Sequence, residues 1–148
     1  MTNLYIKKLH PDVITPKRAT KYSSAFDVHA FIPDDQTISL SPGQTKLIPT
    51  GFCLQAEEGY DVKLYARSGL SLKVGLNLGN SVAVIDHDYF SPVGVIAHNN
   101  SANHVDINHQ MRICQLKVER VIPTTIIEVT ELPELDSDRR SGYGSTGT

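Results

Sequence analysis

Long apolar runs are missing from this chain. No hydrophobic stretch approaches the length of a membrane span, and the N-terminus lacks the basic-then-apolar layout of a signal peptide. The sequence therefore reads as a protein that stays where it is made, in the cytoplasm of a cell or of a virus-infected host. An excess of one charge is missing too. With 14 Lys and Arg against 16 Asp and Glu, the net charge of −2 excludes a field-driven attraction to nucleic acid, so an anionic ligand must be held by local groups. There are two cysteines, Cys53 and Cys114, both in apolar contexts and without C-x-x-C spacing. That excludes a thiolate zinc or redox motif and reads as two buried free thiols. No H-E-x-x-H is present, and the loose cluster His98, His104, His109 near Asp106 falls in an alternating stretch that suits a half-buried strand better than a metal site. Helix signals are almost absent, with one candidate turn at 70–73, and no internal repeat is visible.

What is present is a rhythm. At 148 residues the chain suits one domain with a real core and is too short for two. Short runs rich in β-branched and aromatic residues recur and are separated by Pro, Gly, Asn or Asp, which predicts an all-β sandwich or barrel. The predicted strands cover 4–7, 26–30, 37–40, 44–48, 51–55, 60–66, 76–78, 81–85, 93–98, 104–107, 113–118 and 125–129. Pro33, Pro42, Pro49, Pro92 and Pro123 fall at the ends of these runs, where a missing N–H does little harm.

The segment 80–89, NSVAVIDHDY, organises the rest. Its apolar run 82–85 reads as a strand buried on both faces. Asn80 offers a donor and an acceptor at one end, Asp86 a carboxylate where the chain leaves the core, and Tyr89 a flat face. Such a set can hold a planar hydrogen-bonding ring and activate a water, although Asp-His-Asp also makes an ordinary polar turn. The run 90–98 reads as the returning strand of a hairpin from Val84 to Val95, with Gly94 admitting a ligand close to the backbone.

Four further segments carry polar chemistry. In SAFDVHA (24–30), Asp27 interrupts an alternating strand and is either solvated or paired with an arginine. In ARSGLS (66–71), a strand feeds Arg67, Ser68 and Gly69, which together offer a guanidinium fork, a hydroxyl and backbone N–H groups suited to phosphate, or simply form a turn. In MRICQL (111–116), alternation puts Arg112, Cys114 and Leu116 on one face, with Ile113 and Gln115 on the other. Gln115 could orient a water or a phosphate oxygen, or be a satisfied structural amide. The tail, acidic over 131–138 and then RSGYGSTG (140–147), cannot pack as core by composition. It is a disordered terminus or a mobile arm in which Tyr143 stacks on a base while Arg140, Gly144, Ser145 and Thr146 gather phosphates.

Taken in this order, the five segments resemble the five motifs of the trimeric dUTPases, over nearly the whole chain. The resemblance implies a distorted jelly-roll β-barrel over residues 1–130, an acidic linker and glycine-rich arm over 131–148, and a homotrimer with active sites shared between subunits. It implies Mg²⁺-assisted hydrolysis of dUTP to dUMP and diphosphate, which limits uracil incorporation into DNA and supplies dUMP for dTMP synthesis. Asp86 would be the general base for water attack on the α-phosphorus. Asn80, Val84, Ile85 and Gly94 would read uracil, and Tyr89 would pack under the deoxyribose. Arg67, Ser68, Gly69 and Gln115 would hold phosphates, and Arg140, Tyr143, Gly144, Ser145 and Thr146 would close over the nucleotide from another subunit, with Arg139 as the alternative arm arginine. Asp27 would support the site through other residues. No direct protein ligand to Mg²⁺ is implied, because the ion rides on substrate phosphates.

The chain departs from the family pattern at Ala83, at Phe90-Ser91-Pro92, at Tyr143 and in a shortened glycine stretch. A dCTP deaminase would need a glutamate beside the pyrimidine, and none lies near the 80–89 segment. A binding protein without turnover would have lost Asp86 or the arm.

Overall fold

The computed structural model describes residues 2–34 and 36–134. Eleven strands and one short helix follow one another: β1 Leu4–Lys8, β2 Phe26–His29, β3 Thr37–Leu40, β4 Thr45–Pro49, β5 Phe52–Ala56, β6 Tyr60–Ala66, α1 Ser68–Lys73, β7 Leu76–Leu78, β8 Val82–Ile85, β9 Gly94–Asn99, β10 Val105–Asn108 and β11 Arg112–Arg120. They pair antiparallel in four small sheets, ordered β1-β5, β10-β3, β2-β11-β6-β8 and β4-β9-β7. Among the described residues no helix is long and apolar enough to cross a membrane.

Alternation builds the core. In β6, Val62 and Leu64 are fully buried while Asp61, Lys63 and Tyr65 face the other way. Together with Phe52, Leu40, Ile48, Ile107 and Leu116, also fully buried, they enter one apolar cluster. Each such side chain contributes about 1.5–3 kcal/mol. The helical turn expected at 70–73 is a helix that starts at Ser68.

Five expectations need correction. The run 82–85 is not buried on both faces: β8 is the edge strand of its sheet, with Val84 55% exposed and only Ile85 buried. Val84 to Val95 is not a paired hairpin, since β8 pairs only with β6 while β9 belongs to another sheet. The segment 125–129 forms no strand; Ile126 and Ile127 have strand propensity but no strand partner among the described residues. Arg112 does not share a face with Cys114. A β-bulge between them shifts the register and turns Arg112 to the side of Asp27, while Ile113 is buried. Finally, Cys114 is buried but Cys53 is only half-buried.

Candidate active site

The end of β7 and the start of β8 set up the first part of the site. Gly79 N–H donates to the Ile96 carbonyl at 2.8 Å, so the chain is stitched to β9 just before it turns. The turn is tight, with Ser81 at φ +63° and Val82 N–H donating to the Asn80 carbonyl at 2.7 Å. Beyond this stitch β8 and β9 part company. One edge of β8 is taken by β6, and β7 covers β9 only from Ala97 to Asn99. The free edges therefore face a cleft, lined by Asn80, Val84, Ile85, Asp86, Tyr89 and Gly94 with Leu64, Ala83, Val93 and Ile96, of about 200 Å³. Unpaired strand edges carry rows of N–H and C=O groups, the equipment needed to read the rim of a planar heterocycle. A Cβ on Gly94 would meet Leu47 Cδ1 at 2.6 Å, so a side chain here would have to push aside Leu47 on the neighbouring strand β4.

At the mouth of the cleft the strand gives way to a turn. Tyr89 N–H donates to the Asp86 carbonyl at 3.1 Å, and the Tyr89 hydroxyl donates to the Pro92 carbonyl at 3.2 Å, which fixes the ring beside the opening. Asp86 is exposed, and among the described residues no side chain pairs with its carboxylate. A carboxylate with its lone pairs free is equipped to accept a proton from water.

The second part lies at the end of β6. Asp27, 5% exposed, receives two arginines: Arg67 Nε at 3.4 Å from one oxygen and Arg112 NH1 at 3.2 Å from the other. Arg67 also donates through NH1 to the Arg112 carbonyl at 2.9 Å. Two guanidinium groups on one carboxylate leave a net positive charge next to the exposed Ser68 and Gly69, which open α1 without a capping side chain. That arrangement suits phosphate oxygens. Gln115 stands between Asp27 and Tyr65 in the cross-strand row that continues to Val82. Burial and the surrounding guanidinium groups, opposed by Asp27, hold His29 below the usual histidine range, and its Nδ1 is buried without a hydrogen-bond partner among the described residues. Underneath, burial pushes the Cys114 thiol up to about 12, which makes it inert.

The expected residues thus form two groups. Asn80, Val84, Ile85, Asp86, Tyr89 and Gly94 meet in one cleft, whereas Arg67, Ser68, Gly69 and Gln115 do not line it: Arg67 and Gln115 stand against Asp27, and Ser68 and Gly69 follow Arg67 into α1. Arg140, Tyr143, Gly144, Ser145 and Thr146 lie outside the described residues. Sequence reasoning missed Arg112 as the second cation on Asp27, because alternation without the bulge turns it the wrong way. It also missed His29, which becomes visible only when β2 and β11 are placed in register.

A family model described as dUTPase matches residues 12–147. Deoxyuridine 5'-triphosphate nucleotidohydrolases of Nautilia profundicola and Neorickettsia sennetsu are 37% and 38% identical, the first covering 97% of this chain and 98% of its own, the second 93% and 90%. Among solved structures, the Staphylococcus bacteriophage 80alpha dUTPase with dUPNHPP superposes with a TM-score of 0.86 at 22% identity, over 99% of both chains. A point mutant of the dUTPase from phage phi11 of S. aureus, described for its coordination of a structural Mg(II) ion, superposes with a TM-score of 0.77 at 21% identity, over 89% of this chain and 99% of that one. With a family model spanning most of its length and relatives this similar over nearly the whole of theirs, the chain belongs to the dUTPase family.

Proposed function

We propose that the protein hydrolyses dUTP to dUMP and diphosphate, with uracil held between the free edges of β8 and β9 and Asp86 as general base. The observation that carries this reading is the unpaired Asp86 carboxylate at the mouth of a cleft walled by two open strand edges. Asp86 removes a proton from a water as its oxygen bonds to the α-phosphorus, and the bond from that phosphorus to the bridging oxygen of the β-phosphate breaks. Arg67, oriented by Asp27 and by the Arg112 carbonyl, meets the charge that gathers on the departing diphosphate. The Tyr89 ring packs under the deoxyribose, leaving no space for a 2′-hydroxyl, and Asn80 with the strand backbone selects uracil because another base would leave buried donors and acceptors unpaired.

Mg²⁺ would be brought in on the substrate, because this ion keeps several of its waters and binds mainly through phosphate oxygens. Bound to the triphosphate, it supplies charge neutralisation at the reacting phosphorus.

A homotrimer with shared sites is part of the proposal. It is supported by the separation of the Arg67 group from the cleft, which a neighbouring subunit would supply. It is also supported by the apolar residues Ile122, Ile126, Ile127 and Leu132, between 74% and 94% exposed, and by the edge of β1, whose only strand partner among the described residues is β5. We place the barrel in residues 1–130, the closing arm with Arg140, Tyr143, Gly144, Ser145 and Thr146 in 131–148, and the enzyme in the cytoplasm.

The test is diphosphate release with Mg²⁺ from dUTP, dCTP, dTTP and UTP, for the wild type and Asp86→Asn. Turnover confined to dUTP and lost in Asp86→Asn is expected. Ammonia release from dCTP, or nucleotide binding without any release from dUTP, would overturn the reading.

A further inference from the structure

We propose that His87 is a positioning residue that fixes the base Asp86, by tying the catalytic turn to the end of β5. The inference rests on the reading of Asp86 as general base and adds a residue to it.

The turn from Asp86 to Val93 lies across β5 and is fastened at both ends of that strand. At its far end Val93 N–H donates to the Phe52 carbonyl at 2.8 Å, and the Thr50 hydroxyl donates to the Val93 carbonyl at 2.7 Å. At its near end the His87 side chain makes the fastening, with Nδ1 at 2.9 Å from the Ala56 carbonyl oxygen. Phe52 and Ala56 are the first and last residues of β5 and both are buried, so both anchors stand on the core. The far end is held to β5 by backbone and a buried threonine, whereas at the near end the hold on β5 is one imidazole, beside the pairing of Ile85 with β6.

A carbonyl only accepts, so Nδ1 must carry a proton. It does so in the imidazolium and in the neutral Nδ1–H tautomer, and the tether persists whether or not Nε2 is protonated. Asp86 needs such help because no side chain among the described residues pairs with its carboxylate. Its place is set by the backbone on either side: buried Ile85 before it and the His87 tether after it. His87 itself is exposed and lies outside the apolar core, and its one long-range bond among the described residues runs to the Ala56 carbonyl. Displacing a reacting group by about 1 Å costs on the order of a hundredfold in rate.

The experiment compares His87→Ala, His87→Asn and His87→Gln. It measures kcat and KM for dUTP with Mg²⁺, and Kd for a non-hydrolysable imido analogue of dUTP. An asparagine Nδ2–H takes the place of the imidazole Nδ1–H, whereas a glutamine carries its donor one methylene further out. His87→Ala and His87→Gln are expected to lose about tenfold or more in kcat. The analogue Kd should stay within about twofold, the signature of an interaction that matters in the transition state alone. His87→Asn is expected to keep kcat within about threefold of wild type. Wild-type kcat in His87→Ala or His87→Gln, a loss confined to KM and Kd, or His87→Asn as slow as His87→Gln would overturn the assignment. If the alanine variant does not fold, the Asn and Gln pair decides alone. Full activity in Asp86→Asn would instead overturn the base reading, separately from these outcomes.

Discussion

Asp27 on β2 and Arg67, the residue just beyond β6, meet at 3.4 Å although their two strands are separated by β11. The contact joins a buried acceptor to a cation at the start of α1. Asp27→Ala leaves two guanidinium groups without their partner and is expected to destabilise the fold by about 2–3 kcal/mol. It should also weaken nucleotide binding through disordering of Arg67. Arg112, half-exposed, gives less: Arg112→Ala should cost about 1 kcal/mol or less. Urea unfolding of the two variants beside wild type checks the order.

Glu119 predicts how stability responds to acid. Hydrogen bonds from Lys63 at 2.8 Å and from the Tyr65 hydroxyl at 2.7 Å hold its carboxyl down at about 2, well below the ordinary 4.5. A depressed folded value means that the stabilisation is complete above about 4.5 and is lost as pH falls toward about 2. Lys63 and Tyr65 are shifted upward first of all by the same bonds, so their share is present below the ordinary tyrosine and lysine values and is lost above them. Urea midpoints measured from neutral to strongly acid pH should fall through that window, and Glu119→Gln should flatten the fall.

Gly51 is at φ +74°, and a Cβ there would stand 2.5 Å from Val13 Cγ2 and 2.8 Å from Phe31 Cγ. Gly51→Ala combines left-handed strain with overpacking, and a loss of about 2–4 kcal/mol is expected. Thermal unfolding of the variant measures it. Gly59→Ala, at φ +81° with nothing within 4 Å, should lose only the conformational part, about 1 kcal/mol.

Ile126 is 94% exposed in the protomer, so Ile126→Asp would change the stability of an isolated chain by no more than about 0.5 kcal/mol. In a trimer that covers this residue the same change breaks the assembly. Light scattering with size-exclusion chromatography should show wild type at three times the protomer mass and the variant at one.

Much of the fold was legible because local chemistry and tertiary placement agree. β6 alternates cleanly, and prolines and glycines punctuate most of the strands. The site motifs were legible as residues but not as geometry. An apolar run of four can be a central or an edge strand, and nothing in VAVI says that its neighbour on one side is missing. A single extra residue at the bulge moved Arg112 to the face opposite the one that alternation assigns, and with it the second partner of Asp27. The bond from His87 to Ala56 spans 31 residues, a distance that no local pattern records. Residues 125–129 have the composition of a strand, and what they lack is a partner within the described protomer.

The open edge of β8 brings a hazard as well as a ligand. An exposed strand edge is a template on which another chain can add a strand and begin a precipitate, and this one must stay open if a nucleobase is to reach it. The edge is only four residues long and runs straight into Asp86 and Asp88, both exposed. A carboxylate at the end of a short edge repels an approaching copy that carries the same charges. The residue proposed to activate water therefore also sets a negative charge at the end of the open edge, and replacing it with a neutral amide removes that repulsion along with the chemistry.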